Sequence, residues 1–208
     1  MKTSNLLIII SAMAIVAIVF YSLTRGTDEK AYAEQLLKER AEKDEFMRSG
    51  EGSPFEGMAD QFAGLQYFPP NVKFRIQADL EPVTNRKMVT LPTSDGKEKR
   101  YLEYAYATFQ LDGVQNRLLL LELIDPGPYK GTLFLAFADQ TSAIETYGAG
   151  RYLDVKKVPG ATTLLLDFNK AYNPYCAYSE KFSCPFPPKE NVLNVAILAG
   201  EKNYVVGE

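Results

Sequence analysis

With 208 residues, 46% of them hydrophobic, and a formal net charge of -3, the chain has room for one ordinary globular domain plus a targeting segment and a linker, and its composition excludes a disordered protein. Acidic residues interrupt the basic ones even in the densest stretch, Lys97 to Arg100, which argues against a phosphate-binding surface and so against nucleic acid as a partner. There is no histidine, so Ser-His-Asp and Cys-His mechanisms and imidazole-based zinc sites are excluded. Two cysteines cannot complete a four-thiolate zinc site, and no metal site is predicted, although oxygen ligands for a hard cation remain available.

From Thr3 to Thr24 no residue is charged, and Leu6 to Leu23 is almost wholly Leu, Ile, Val, Ala, Met and Phe. As a helix this run would reach roughly 27 Å, close to the hydrocarbon thickness of a bilayer. Ser22, Leu23, Thr24 and Arg25 make a poor signal-peptidase site, and Ala31 and Ala33 lie too far beyond the apolar run. Residues 1–26 are therefore expected to be an uncleaved signal anchor, with the lipid bilayer as partner through Leu6–Leu23. Lys2 before the run and Arg25 and Lys30 after it nearly balance. A short tail before a large C-terminal part suits an N-terminus inside, giving a single-pass membrane protein with its domain on the extracytoplasmic side.

Residues 27–54 form a charged helix and linker in this reading. Tyr32, Leu36 and Leu37 lie along one side, acid-to-base pairs are spaced four apart at Glu34 and Lys38, Glu39 and Lys43, and Asp44 and Arg48, and Gly50, Gly52 and Pro54 end the helix. From residue 55 to 208 a β-rich domain is predicted. Val72–Leu80, Lys87–Leu91, Arg100–Leu111, Val114–Leu123, Thr132–Ala138, Thr162–Asp167 and Asn191–Ala199 read as strands, with an Asp112-Gly113 hairpin turn in the middle. Leu118–Leu121 is continuous enough to be buried on both faces. Only Ala143–Tyr147 has a helical pattern within the domain. The fold class is thus mainly β, a single antiparallel barrel or sandwich preceded by a transmembrane helix and a charged helix.

Chemistry-bearing residues concentrate in three segments: Glu145–Leu153, Asp167–Pro174, and Cys176 through Cys184 to Asn191. Loops rich in Tyr, Asn, Arg and Pro between apolar strands are where a β scaffold usually carries binding residues. The ligand-binding candidates are Glu145, Tyr147, Arg151, Tyr152, Asp167, Asn169, Tyr172, Asn173, Glu190 and Asn191. Arg151 could clamp an anion with Tyr147, Tyr172 and Asn173 adding hydrogen bonds, or it could join Asp167 and Glu190 in an ion-pair network that pins the loops. Cys176 and Cys184 suit a disulfide in an oxidising compartment, a redox pair or thiolate metal site, or two buried free thiols.

DFNKAYNPYCAYSEKFSCPFPPKEN at Asp167–Asn191 and ETYGAGRYL at Glu145–Leu153 resemble the bacterial and archaeal family of the domain of unknown function 1684. ERAEKDEFMRSGEGSPF and the Phe62, Ala63, Gly64, Leu65 pattern extend the likeness over roughly Glu39–Lys202. Ala149 stands where that family leads one to expect Gly, and Tyr175 where Pro is common. The resemblance implies no activity.

Three functions fit these observations. The first is an extracytoplasmic domain that binds a small polar or anionic ligand, or a partner, through the loops around 145–191. The second is a histidine-free hydrolase or lyase using Asp167 or Glu190 as base with Arg151 as electrophilic clamp. The third is a structural protein of the cell envelope. No cofactor is indicated.

Overall fold

The computed structural model describes the backbone of residues 3–124 and 131–205, and the side chains of Met13 and of residues 27–124 and 131–205. Helix α1 runs from Thr3 to Ser49 without a break. The chain divides into two compact units, Met1–Arg40 and Ala41–Glu208. Among the described residues no helix is long and apolar enough to cross a membrane. Apart from Met13, the predicted span Leu6–Leu23 lies outside the residues whose side chains are described.

In the first unit, the exposed face of α1 carries four-residue pairs, Lys30 with Glu34 at 3.9 Å and Gln35 with Glu39 at 3.0 Å. The second unit begins with the last turns of α1. There the expected Asp44–Arg48 pair is not made. Asp44 instead accepts the Leu65 amide at 3.2 Å, and Arg48 lies over the Phe62 ring. Met47 is fully buried with Phe55 and Phe62, so packing fixes this end of the helix.

The body of the second unit is one seven-stranded antiparallel sheet. Its strands are β1 (Arg75–Pro82), β2 (Met88–Pro92), β3 (Glu98–Leu111), β4 (Val114–Leu123), β5 (Thr132–Phe137), β6 (Arg151–Lys156) and β7 (Thr163–Asp167). They are ordered β6-β5-β4-β3-β1-β7, with β2 pairing to β3. The β3–β4 hairpin turns at Asp112 and Gly113, both at positive φ (52° and 77°), as a two-residue turn matched to strand twist requires. The run Leu118–Leu121 is buried because it serves two cores. Leu118 and Leu120 enter the main one, while Leu119 and Leu121 join Leu91 and Tyr101 on the other face.

The expected barrel or sandwich is corrected to a single curled sheet. Strands β6 and β7 end the path of paired strands, yet Leu153 and Val155 of β6 and Leu166 of β7 share one core. One face can bring both edges to one core only by curling. The open side is filled by the C-terminal segment. Leu193, Val195, Ile197 and Ala199 all enter the core, so the alternation predicted for a strand at Asn191–Ala199 is real. No strand forms there. Its backbone bonds go to loops and side chains: Leu193 N–H to Ala138 O, Ile197 N–H to Asp139 Oδ1, and Glu201 N–H to Ala171 O.

Asn191 explains where the sheet opens. Strands β4 and β5 are in register only at Leu121 and Phe134. One step further on, the Asn191 amide stands between them, accepting from Leu119 N–H at 2.6 Å and donating to Leu119 O and Ala136 O at 2.9 and 2.8 Å. A side chain thus replaces the missing ladder bonds and gives Leu119 N–H, Leu119 O and Ala136 O their partners.

Three further expectations are corrected. The predicted helix Ala143–Tyr147 is a set of tight turns in which Thr141 O accepts from Ile144, Glu145 and Thr146, and Ala143 sits at φ 64°. Val72–Phe74 is a single 3-10 turn, capped by Asn71, that precedes β1. Glu145–Leu153 reads in sequence as a binding loop, but from Arg151 onward it is strand β6, which pairs with β5 from Thr132–Lys156 to Phe137–Arg151.

Candidate functional site

The strand alternation that fills the core also builds a second surface on the opposite side of the sheet. Lys99 and Tyr101 of β3, Leu123 of β4, Thr132 and Phe134 of β5, and Tyr152 and Asp154 of β6 share that face. Residues 170–185 cross over it. This segment is held at Tyr172, whose backbone exchanges two hydrogen bonds with Tyr152, and at Cys184–Phe186, which bonds to Pro92 and Ser94 beside β2. Ser183 Oγ also donates to Asp95 at 2.6 Å, and with Lys97 and Thr93 it holds the Asp95 carboxyl well below the usual range, the Lys97 bond being the largest influence.

Between sheet and segment lies a cleft of about 560 Å³. Its walls are aromatic. Phe134 stacks on Tyr101 at 4.9 Å and meets Tyr152 edge-on at 4.9 Å, while Tyr175 and Phe182 form a second edge-on pair at 5.0 Å. The hydroxyls are committed elsewhere: Tyr152 donates to Pro185 O at 2.6 Å and Tyr172 to Asp154 Oδ1 at 2.9 Å. Burial pushes the Tyr101 and Tyr152 hydroxyls up from their ordinary value, so both remain neutral donors at neutral pH.

Lys43, Lys99 and Lys170 line the same cleft, opposed there by Asp154. Lys43 is anchored: its ammonium lies 2.9 Å from Glu201 Oε2 and 4.7 Å over the Tyr172 ring. Glu201 is buried and also accepts from Asn173 Nδ2 at 2.9 Å and from the Tyr178 hydroxyl. Burial pushes its carboxyl up against the opposing pull of Lys43 and Asn173.

Of the ligand candidates, Tyr152 and Tyr172 line the cleft, and Asn173 stands behind it on Glu201. The others are elsewhere. Arg151 is fully enclosed, donating to Asp139 Oδ2 at 2.8 Å, to Ile197 O at 2.9 Å, and to Ala199 O and Glu201 O. Neither Asp167 nor Glu190 is among its partners. Asp167 lies 3.8 Å from Arg75 and accepts from Asn169, whose side chain in turn holds Asn71. Glu190 and Glu145 are exposed, Asn191 is the plug between β4 and β5, and Tyr147 reaches the Cys176 sulfur at 3.9 Å.

The expected disulfide is corrected: Cys176 and Cys184 are free thiols. They are neighbours nonetheless, with the Cys176 amide 3.2 Å from Cys184 Sγ. The Cys184 thiol, as donor, draws Cys176 down to about 6, and Cys184 is correspondingly pushed up. Tyr147, desolvated and beside Cys176, is pushed up to about 12. Among the described residues no three His, Cys, Asp or Glu side chains converge as metal ligands would.

Lys170 and Phe182 fall within segments that the sequence singles out, whereas Lys43, Lys99, Tyr101, Phe134 and Tyr175 are cleft residues that sequence reasoning missed. Phe134 carried one signal, a large aromatic at an outward position of an otherwise regular strand, between the buried Leu133 and Leu135. Lys43 and Lys99 carried none, since a lysine facing a cleft and one facing bulk water look alike in sequence.

The model described as "Protein of unknown function (DUF1684)" matches residues 60–202. A solution NMR structure of an uncharacterized protein from Haloarcula marismortui is similar at 37% identity, covering 85% of this chain and 96% of that one, with a TM-score of 0.64. No curated protein matches. The chain belongs to the family described as Protein of unknown function (DUF1684).

Proposed function

We propose that this protein is a membrane-anchored binding module, its domain on the extracytoplasmic side, and that the cleft over β3–β6 holds a small polar or anionic molecule. The observation that carries this reading is the cleft itself, about 560 Å³ with aromatic walls and three lysines against one carboxylate. Small-molecule sites have this size and this mixture of apolar wall with few charged groups. The uncharged stretch from Thr3 to Thr24 supports the anchor. The enzyme reading, with Asp167 or Glu190 as base beside Arg151, has no geometry in its favour, because the Arg151 guanidinium is spent on Asp139 and on main-chain carbonyls.

Native mass spectrometry of the full chain, extracted from its own membranes, tests the binding reading. The expected result is a reproducible added mass that Ser183→Trp, an exposed position lining the cleft, removes. A bare mass in the wild type would favour a structural envelope role. Resistance to carbonate extraction, together with protease access from outside intact cells, tests the anchor and its orientation.

A further inference from the structure

Resting on the reading of the cleft as a ligand site, we infer that its ligand is a flat aromatic ring carrying a single carboxylate or similar monoanionic group, with Lys99 as the counter-ion. Lys43 and Lys99 are not equivalent. Lys43 is neutralised by Glu201 at 2.9 Å and held over the Tyr172 ring. Lys99 makes no ion pair among the described residues; its charge acts on the Cys184 thiol, another group lining the cleft. An anion arriving there would be the first to pair with it.

The rest of the ligand follows from what the walls can offer. The Tyr152 and Tyr172 hydroxyls are already committed to Pro185 O and Asp154, so these two side chains present ring carbon to the cleft. A sugar or peptide backbone would find no hydrogen-bond partner on the Phe134, Tyr152, Tyr172 and Phe182 rings. A ring is favoured over an alkyl chain of equal area because Phe134, Tyr175 and Phe182 can take further edge-on or offset partners. A cation is disfavoured, since Lys99 and Lys170 line the cleft beside Lys43, and its carboxylate Asp154 is occupied by Tyr172.

The test uses the full chain in phosphatidylcholine nanodiscs, with empty discs subtracted, and three probes followed by saturation-transfer NMR: 2-naphthoate, the neutral 2-naphthylmethanol, and octanoate. The expected result is 2-naphthoate binding at least tenfold tighter than either of the others. Lys99→Met, at an exposed position without an ion pair, should remove that preference while leaving 2-naphthylmethanol binding and the amide spectrum unchanged. Binding of octanoate or 2-naphthylmethanol as tight as 2-naphthoate, lost in Ser183→Trp, would overturn the aryl-anion assignment while leaving the cleft as a site. Failure of all three probes to bind would overturn both.

Discussion

Arg151 and Asp139 form an ion pair at 2.8 Å in which neither side chain is exposed to solvent. Asp139 Oδ1 simultaneously accepts from Thr141 N–H, Thr141 Oγ1 and Ile197 N–H, and the guanidinium ties together carbonyls of the C-terminal segment. The pair therefore joins β6, the loop after β5 and the segment that fills the open side of the sheet. Arg151→Met is expected to cost roughly 3–5 kcal/mol, because it strands a buried carboxylate. Adding Asp139→Asn, which keeps Oδ1 as an acceptor, should recover part of the loss. Urea denaturation of the two single variants and the double variant measures this directly, and strictly additive losses would refute the coupling.

Asn191 offers a second, independent probe of the fold. Substitution by Leu is nearly isosteric, yet it would leave Leu119 N–H, Leu119 O and Ala136 O without partners. At about 1–3 kcal/mol for each buried unsatisfied group, a loss of at least about 3 kcal/mol is expected. Thermal unfolding should show it as a Tm fall of many degrees. An unchanged Tm would mean that β4 and β5 can close the gap themselves.

Glu201 makes stability depend on pH. Its folded carboxyl is raised above the ordinary value of 4.5 by burial. Across the interval from that value to the raised one, the folded protein holds more protons than the unfolded chain, so this residue's contribution makes stability fall as pH rises. The groups facing it are Lys43, Tyr178, Asn173 and, through its main chain, Arg151. Glu201→Gln should flatten the fall in Tm as pH rises above 4.5. An identical slope in the variant would show that other groups set it.

The two thiols should differ sharply in reactivity. With Cys176 drawn to about 6 by Cys184, its alkylation by iodoacetamide is expected to rise through a midpoint near that pH. In Cys184→Ala the donor is gone, and the midpoint should move toward the ordinary thiol value of about 8.5. Denatured protein prepared without reductant should titrate two free thiols, as the structure requires. A single unchanged midpoint in wild type and variant would refute the contact.

What could be seen in advance was local. The β3–β4 hairpin was legible because Asp112-Gly113 and the flanking alternation lie within one short stretch, and twist matching leaves few other turns for that dipeptide. The double burial of Leu118–Leu121 was legible for the same reason. At Leu193–Ala199 the alternation correctly named the inward side chains but not the backbone partners, since a ladder needs a neighbour that periodicity does not supply. Arg151 stood out as a residue of consequence, yet its partner Asp139 lies in a loop that no pattern marks.

The chain by itself thus determined the antiparallel β character, the hairpin, the family and the inward faces, because each depends on neighbours a few residues apart or on motifs long enough to be specific. Only the tertiary structure decided that the sheet curls without closing, that Asn191 fills its gap, and that Cys176 and Cys184 are neighbouring thiols. The cleft belongs to that second group. It unites Lys43, Lys99, Phe134 and Tyr175 from four separate parts of the chain, and their meeting follows from strand order and loop packing, which sequence spacing does not encode.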